Sequence, residues 1–526
     1  MSLVSRRTHV LAGAAMAGAS VLIPVACGGG AFNTGQGIDA GASDGRGTVG
    51  DSPADGGGLD GAADSATADE GLDGPACDPT AAPSVAPCVI TESLGVFVSP
   101  AGTDSAAGTR TAPMQTINAA MDAAKAKGLS RVYACGGIYS VGVVVSVATN
   151  RDGLSLSGGL TCTGWTYDAT QKAIVAPSSG YALEVDSLAQ GVSVADFGFH
   201  GPTPVNPGDS SIAVFANASQ NVAFQRVSFV ASNGPTGAVS SAFANYNVAP
   251  AVGGTATSTT GAVGGMISCL DGMTSSTGGN GASVGTAATD GSAVPSDGTT
   301  NGGSSASGSC SDGTGGANGD SNPGGSGTQT TGVLSSLGWT TMPGSDGSDG
   351  DPGQGGGGGG AKSLGISGGG GGGAGGCGGG GGFGGRTGGS SICIASFGST
   401  ISLLSSTLSA GNGGNGSSGG VGNPGQSGAL GGVGACNGGG GGTGAGGCGG
   451  GGGAGGSSFG ILWSGTTPPT IDSAPVTSQP TVSGITTGTP GMPGPMGTGA
   501  SPTGTGNPGQ NGTAGSGGGA MAVTMQ

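Results

Sequence analysis

The feature that most constrains this chain is a short apolar motif that keeps returning after long interruptions. Ser210-Ser211-Ile212-Ala213-Val214-Phe215, Ser390-Ser391-Ile392-Cys393-Ile394-Ala395 and Ser457-Ser458-Phe459-Gly460-Ile461-Leu462 begin alike. The first two copies also end alike, Ser228-Phe229-Val230-Ala231-Ser232-Asn233-Gly234 matching Thr407-Leu408-Ser409-Ala410-Gly411-Asn412-Gly413. Long glycine tracts separate them. A motif this short cannot bury its own apolar face, so the copies must stack on one another. Insertions between equivalent motifs must then leave and return at one corner of the stack. The pattern is that of a stacked β-solenoid.

Composition sharpens this division. Of 526 residues 131 are glycine and only 8% are charged, against roughly 7% glycine and about 25% charge in an ordinary globular chain. Glycine offers no side chain to bury and loses the most freedom on folding. A hydrophobic core must therefore be confined to the motif-bearing segments. The net charge is −16 and its acid is concentrated between Asp39 and Asp78, while Lys362, Arg386 and Asp472 are the charged residues after Gly360. Basic residues are few and scattered, which argues against nucleic-acid binding.

The N-terminus reads as an address. Arg6-Arg7 precede an apolar run over 10–26, the layout of an export signal and too short for a membrane-spanning helix. The paired arginines resemble a twin-arginine signal, with His9 where that class usually has Phe. Ile23-Pro24-Val25-Ala26-Cys27 resembles the lipobox of bacterial lipoproteins, with Pro24 as a departure. The resemblance implies lipidation of Cys27 and a membrane anchor. Residues 28–91 are rich in Gly, Ala, Asp and Ser, the composition of a disordered spacer.

Structure is expected from Leu94 onward. Pro113 opens a helical pattern with Ile117, Ala120, Met121 and Ala124 on one face, stopped at Gly128. Strand-like runs follow at 131–134, 143–147, 154–156, 174–175, 182–185, 192–199, 212–215 and 222–230, separated by turn residues. Val98-Ser99-Pro100-Ala101-Gly102-Thr103-Asp104, Pro113-Met114-Gln115-Thr116-Ile117-Asn118-Ala119-Ala120 and Val132-Tyr133-Ala134-Cys135-Gly136-Gly137-Ile138-Tyr139 resemble the opening of right-handed parallel β-helix proteins of the pectate-lyase-like superfamily. That resemblance implies an all-β fold in which the helix after Pro113 caps the open end. It covers roughly 94–234 and, through the repeats, reaches about Trp463. As a whole the chain is similar to the glycine-rich lipoproteins, often labelled PGRS, of predatory soil bacteria. Nothing in it resembles the helical N-terminal domain of the mycobacterial proteins sharing that label.

The organisation expected is an export signal over 1–26, a lipid-anchored disordered linker over 27–91 and a capped parallel β-helix over 92–233. A glycine-rich insertion over 234–389, a rung over 390–412 and a second insertion over 413–456 follow. Terminal rungs and a glycine-rich tail occupy 457–526, with Ile471, Val476, Val482 and Ile485 marking a degenerate rung and 521–525 a last strand.

Within the tracts glycine recurs at every third position, at 413, 416, 419, 422, 425, 428, 431 and 434, at 344, 347, 350, 353, 356 and 359, and at 488, 491, 494 and 497. Period three belongs to extended polyproline-II-type helices. Too little proline occupies the triplets for collagen. Two readings stay open: a side-by-side bundle of such helices, pairing N–H with C=O, or flexible coil. Runs such as 355–360 carry no register of their own, so flexible low-complexity loops are the expectation.

Ten cysteines remain besides Cys27, an even number that predicts disulfides in an exported protein. Cys77 and Cys88 can close a small loop, and Cys135 and Cys162 lie at neighbouring strand ends. Pairing among Cys269, Cys310, Cys377, Cys393, Cys436 and Cys448 stays open. No CxxC or zinc spacing occurs. Catalytic, metal and cofactor residues are assigned to none. His200 would have to serve any Ser-His-Asp site and reads as a turn residue. Superfamily lyases use an acidic calcium-binding cluster with a basic residue, and Glu184, Asp186, Asp196 and Arg226 are the nearest equivalents without matching a family motif. The aspartates 346, 349 and 351 lack the spacing of calcium solenoids.

The reading is thus an exported cell-envelope lipoprotein, at the outer membrane or cell surface, anchored to the membrane by lipid. Its role is structural or adhesive, contacting other surfaces, matrix or polysaccharide. A polysaccharide lyase or hydrolase on the same scaffold is the alternative. A flat binding array of period-three helices, suited to ice or a crystalline polymer, is a third.

Overall fold

A computed structural model describes residues 77–526, apart from 242, 245, 247, 296–300, 304–308, 365–366, 479–483, 490, 493–494, 496–497 and 503–505. The export signal, Cys27, most of the acidic spacer and Val482 lie outside the described residues.

The chain is mostly β and its three main sheets are parallel. The first sheet contains Gly95–Val98, Arg131–Cys135, Leu154–Leu160, Val192–Ala195, Val222–Gln225, Ile401–Leu404 and Thr470–Ile471, closed by antiparallel Ala474–Pro475. The second contains Gly137–Tyr139, Ala173–Val175, Phe197–His200, Ser228–Ala231, Thr407–Ala410 and Ile485–Thr486. The third contains Val143–Ser146, Leu183–Asp186, Ser211–Asn217, Ser391–Phe397, Ser458–Ser464 and Ala520–Met525. From Arg131 on, the main strands visit the three sheets in rotation. One core draws Val132, Leu156, Val194, Phe224 and Leu403 from the first sheet, Phe199, Phe229 and Leu408 from the second, and Val145, Val185, Val214, Ile394 and Ile461 from the third.

The helix Ile117–Ala126 packs on the first strands through Ile117, Ala120, Met121 and Ala124. Thr116 caps it, its hydroxyl accepting from the Ala119 N–H at 3.2 Å, as short polar residues do at helix starts. Arg151 fixes the helix to the third sheet, reaching both Asp122 oxygens at 2.7 and 2.8 Å and the Val144 carbonyl at 2.7 Å.

The three Ser-Ser-apolar copies are neighbouring strands of the third sheet, in register Ser211–Ser391–Ser458 and Ile212–Ile392–Phe459. Both faces of these strands are buried, which accounts for their almost unbroken apolar sequence. The outer face, with Ile212, Phe215, Ile392, Ala395, Phe459 and Leu462, is covered by Leu334 and Trp339 of an antiparallel hairpin in the first insertion. Each large side chain so covered contributes about 1.5–3 kcal/mol. The serines explain the conserved spelling within the chain. Ser210 Oγ accepts from the Ser390 N–H at 2.9 Å and Ser390 Oγ from the Ser457 N–H at 3.1 Å. Ser211, Ser391 and Ser458 accept from the N–H groups of Ser232, Gly411 and Gly488 at 2.8–2.9 Å. Those donors sit just past the ends of second-sheet strands. The motif therefore satisfies the backbone where the chain leaves the stack and where it returns.

Every excursion uses that corner. Residues 234–389, 413–456 and 488–519 each leave after a second-sheet strand and return to a third-sheet strand. The expectation of flexible coil fails here. The tracts form a hydrogen-bonded bundle in which each pair of neighbouring segments shares one bond per three residues. The N–H groups of Gly376, Gly379, Gly382 and Gly385 donate to the carbonyls of Gly442, Ala445, Cys448 and Gly451 at 2.7–2.9 Å. The N–H groups of Gly344, Gly347, Gly350 and Gly353 donate to Gly385, Gly382, Gly379 and Gly376.

Segment 441–456 shows the logic of an interior position. Residues 441, 444, 447, 450, 453 and 456 donate to carbonyls between 414 and 429. Residues 442, 445, 448 and 451 donate to carbonyls between 345 and 354. Residues 446, 449, 452 and 455 donate to carbonyls between 507 and 516. Three donor rows thus serve three neighbours, and the buried backbone is satisfied almost wholly by other backbone, with Thr443 donating instead to Asn318 Oδ1 at 2.9 Å. Close approach demands glycine: a Cβ at Gly376 would lie 1.9 Å from the Gln426 carbonyl oxygen. The register missing from the glycine runs comes from elsewhere. The disulfides Cys269–Cys377 and Cys310–Cys436 cross the bundle. Side chains also bridge segments, including Asp346 and Asp349, whose Oδ1 atoms accept from Gly384 and Gly381 at 2.7 Å.

Candidate functional site

Two places combine exposure with organised chemistry. The first is a cleft of about 430 Å³ on the outer face of the first sheet. Side chains alternate across a strand, so the residues facing the cleft are every second one: Ser155 and Ser157, Ser193 and Ala195, Ala223 and Gln225, Ser402 and Leu404. Residues 80–83 lie across it, in the loop closed by Cys77–Cys88. Arg131 holds that loop, donating to the carbonyls of Ala81 at 2.9 Å and Pro79 at 2.6 Å.

At the edge of the cleft Asp196 and Arg226 follow first-sheet strands, both at left-handed backbone positions, φ 61° and 55°. The carboxylate is nearly enclosed, at 4% side-chain exposure, and the guanidinium meets it at two points. Tyr167 donates to Asp196 Oδ1 at 3.2 Å, and Lys172 Nζ donates to the Arg226 carbonyl at 3.0 Å. Burial raises the Tyr167 hydroxyl pKa, with the Asp196 charge adding to it. Burial lowers the Lys172 ammonium, against the pull of Asp196. Both Asp196 oxygens are thus occupied by donors, an arrangement that fixes the corner.

The other sequence candidates lie apart. Glu184 and Asp186 share the outward face of Leu183–Asp186 in the third sheet. Burial raises the Glu184 carboxyl and Asp186 adds to it, while Asp186 Oδ1 accepts from Asn217 at 2.7 Å. No hydrogen bond or ion pair among the described residues links them to Asp196, and no group of three or more metal-binding side chains occurs among the described residues. His200 ends a second-sheet strand, half-buried, with burial lowering its pKa. Sequence reasoning missed Tyr167 and Lys172, because their approach to Asp196 depends on the loop after Leu160 and not on any local spacing.

The structure joins Cys77 to Cys88 and Cys135 to Cys162. Of the six whose pairing stayed open, Cys269 joins Cys377 and Cys310 joins Cys436, while Cys393 and Cys448 are unpaired and buried, so the even count overstated the number of bridges. Cys393 fills the core of the third sheet, where burial pushes its thiol up to about 12. Cys448 replaces a bundle residue and donates Sγ–H to the Asn322 carbonyl at 2.6 Å.

The second place is the outermost layer of the bundle. Segment 412–435 is flanked by 235–258 and 489–498, and backed by 368–389. Gly234 and Gly237 donate to Asn412 and Asn415, while Gly413, Gly416, Gly419 and Gly422 donate to Thr489, Met492, Pro495 and Thr498. The row left outward is Asn412, Asn415, Ser418, Val421, Pro424, Ser427, Leu430 and Val433. None of the three outer segments contains a charged residue. Val421, Leu430, Val433, Val239, Val252 and Met492 are all more than half exposed there.

Compared with known protein families, curated proteins and solved structures, the chain matches none. No helix among the described residues is long and apolar enough to cross a membrane.

Proposed function

We propose that this is a non-catalytic envelope lipoprotein in which a right-handed parallel β-helix of the pectate-lyase-like type, capped by Ile117–Ala126, carries a packed glycine bundle that makes contact with other surfaces, matrix or polysaccharide. One observation carries the reading: three excursions from different levels of the stack hydrogen-bond into a single body whose outer layer is uncharged. Such a body holds a fixed face away from the strands and offers no charged groups on it, which suits contact and not turnover. The export signal, the acylated Cys27 and the PGRS-type kinship complete the proposal, with the acidic spacer holding the folded part off the membrane.

The test is incubation of the purified chain with insoluble and acidic polysaccharides, with and without Ca²⁺. Retention without release of sugars is expected. Turnover that disappears in Asp196→Ala would replace this reading with the lyase or hydrolase alternative. Release of the Cys27→Ser protein from the membrane fraction checks the anchor, and an unchanged fraction would remove it.

A further inference from the structure

We infer that the outermost layer of the glycine bundle is a self-association face whose occupant is the same layer of a second copy of this chain. The inference stands on the geometry of the layer and does not require the adhesive reading.

Segment 412–435 has three residue rows. Its residues 413, 416, 419 and 422 donate to 489–498, and residues 414, 417, 420, 423, 426, 429, 432 and 435 donate to 368–389. Its carbonyls between 414 and 429 accept from 441–456, and those of Asn412, Asn415, Leu430 and Val433 accept from Gly234, Gly237, Gly253 and Ala256, so four period-three neighbours hold its backbone while two of its residue rows are turned toward them. The third presents Val421, Pro424, Leu430 and Val433, with Val421, Leu430 and Val433 at 54, 77 and 61% exposure. Val239 and Val252 on one flank, at 86 and 65%, and Met492 on the other, at 69%, extend this apolar row sideways.

Amide side chains of the layer reach into its seams. Asn233, Asn412 and Asn415 Oδ1 accept from the N–H groups of Asn412, Thr489 and Met492 at 2.7–2.9 Å. Gln426 Nε2 donates to the Val248 carbonyl at 2.8 Å. The amides thus bind neighbouring segments together and leave the aliphatic side chains to project.

Charge selects the partner. The chain carries −16, so most approaches of one copy to another bring carboxylates together. The bundle aspartates Asp290, Asp312, Asp320, Asp346, Asp349 and Asp351 all belong to other segments, and this layer has no charge to repel a second copy. Repeat selects it too: the outward rows project every third residue, roughly every 9 Å, and a second copy carries the same spacing, so ridges and grooves stay matched along the whole length. Size is sufficient. Residues 412–433 extend roughly 65 Å; a strip of that length and two segments wide, at about 4.8 Å each, supplies about 620 Å² per partner, within the roughly 600–1,000 Å² per partner of a standard interface.

The experiment is sedimentation of the full chain carrying Cys27→Ser, over a wide concentration range and at low and high salt. A concentration-dependent dimer that high salt does not dissociate is expected. Leu430→Lys and Val421→Lys should each weaken it at least tenfold while leaving amide-exchange protection of the bundle intact. Leu337→Lys, at a side chain 89% exposed on the hairpin and away from the layer, should leave it unchanged. A wild-type chain that stays monomeric at hundreds of micromolar overturns the inference. So does a dimer that Leu337→Lys disrupts and the two layer variants do not.

Discussion

Arg226 meets Asp196 along two parallel contacts, Nε to Oδ1 and Nη2 to Oδ2, each 2.7 Å. Such a pair is difficult to break by halves. Arg226→Ala leaves a carboxylate at 4% exposure with Tyr167 as its remaining side-chain donor, and an uncompensated buried charge costs about 3 kcal/mol or more. Urea denaturation should show that loss. The double variant Asp196→Asn/Arg226→Ala should recover part of it, since no buried charge remains.

The bundle should sort its glycines sharply. At Gly376 an added Cβ meets the Gln426 oxygen at 1.9 Å, whereas at Gly440 the nearest atom is 3.6 Å away. Gly376→Ala is expected to destabilise the bundle by about 3 kcal/mol or more. Gly440→Ala should be neutral or slightly stabilising, by less than about 1 kcal/mol. Amide exchange should report lost protection across 414–429 and 441–456 in the first variant and none in the second.

Reduction should act on the bundle before the stack. Cys269–Cys377 and Cys310–Cys436 close separations of 108 and 126 residues, and loops of that length are worth about 4–5 kcal/mol each in the chain-entropy account. A reductant that opens them is expected to lower the melting temperature of the bundle amides while the first sheet stays protected. Thiol titration without reductant should find Cys393 and Cys448 only after unfolding, since both are buried.

His200 sets a mild pH dependence. Burial lowers its folded pKa below the ordinary value of 6.5. Above that value both folded and unfolded forms are neutral and nothing is lost. As pH falls through about 6.5 the unfolded chain takes up the proton first, so stability declines until the folded pKa is reached. His200→Gln should flatten the melting temperature between pH 7 and 5. An identical decline in both proteins would show that His200 does not cause it.

How much of this was readable depends on where the determinants lie. The helix face of Ile117, Ala120, Met121 and Ala124 was legible because helical period is local. The Ser-Ser motifs were legible because stacked strands with the same surroundings need the same residues. The cover on the third sheet's outer face was not, since Leu334 and Trp339 arrive from within an insertion. Period three was visible in the tracts, but the choice between coil and bundle rested on register. That register comes from contacts such as Cys310–Cys436 and Asp346–Gly384, 126 and 38 residues apart. The third excursion, 488–519, read as a tail because its return strand Ala520–Met525 lacks the serine pair. Tyr167 and Lys172 escaped notice for the same reason of distance, lying 29 and 54 residues from their partners Asp196 and Arg226.

The three donor rows of segment 441–456 have a consequence for the order of assembly. Rungs of the stack can be laid down as the chain elongates, each on the one before. The bundle cannot close in that way, because 446, 449, 452 and 455 wait for acceptors between 507 and 516. Its innermost backbone stays unmatched until almost the last residues have been added. A chain interrupted after residue 500 would carry a stack short of its last third-sheet strand, Ala520–Met525, and an unsatisfied centre open to proteases, so the final excursion acts as a keystone that marks a completed molecule.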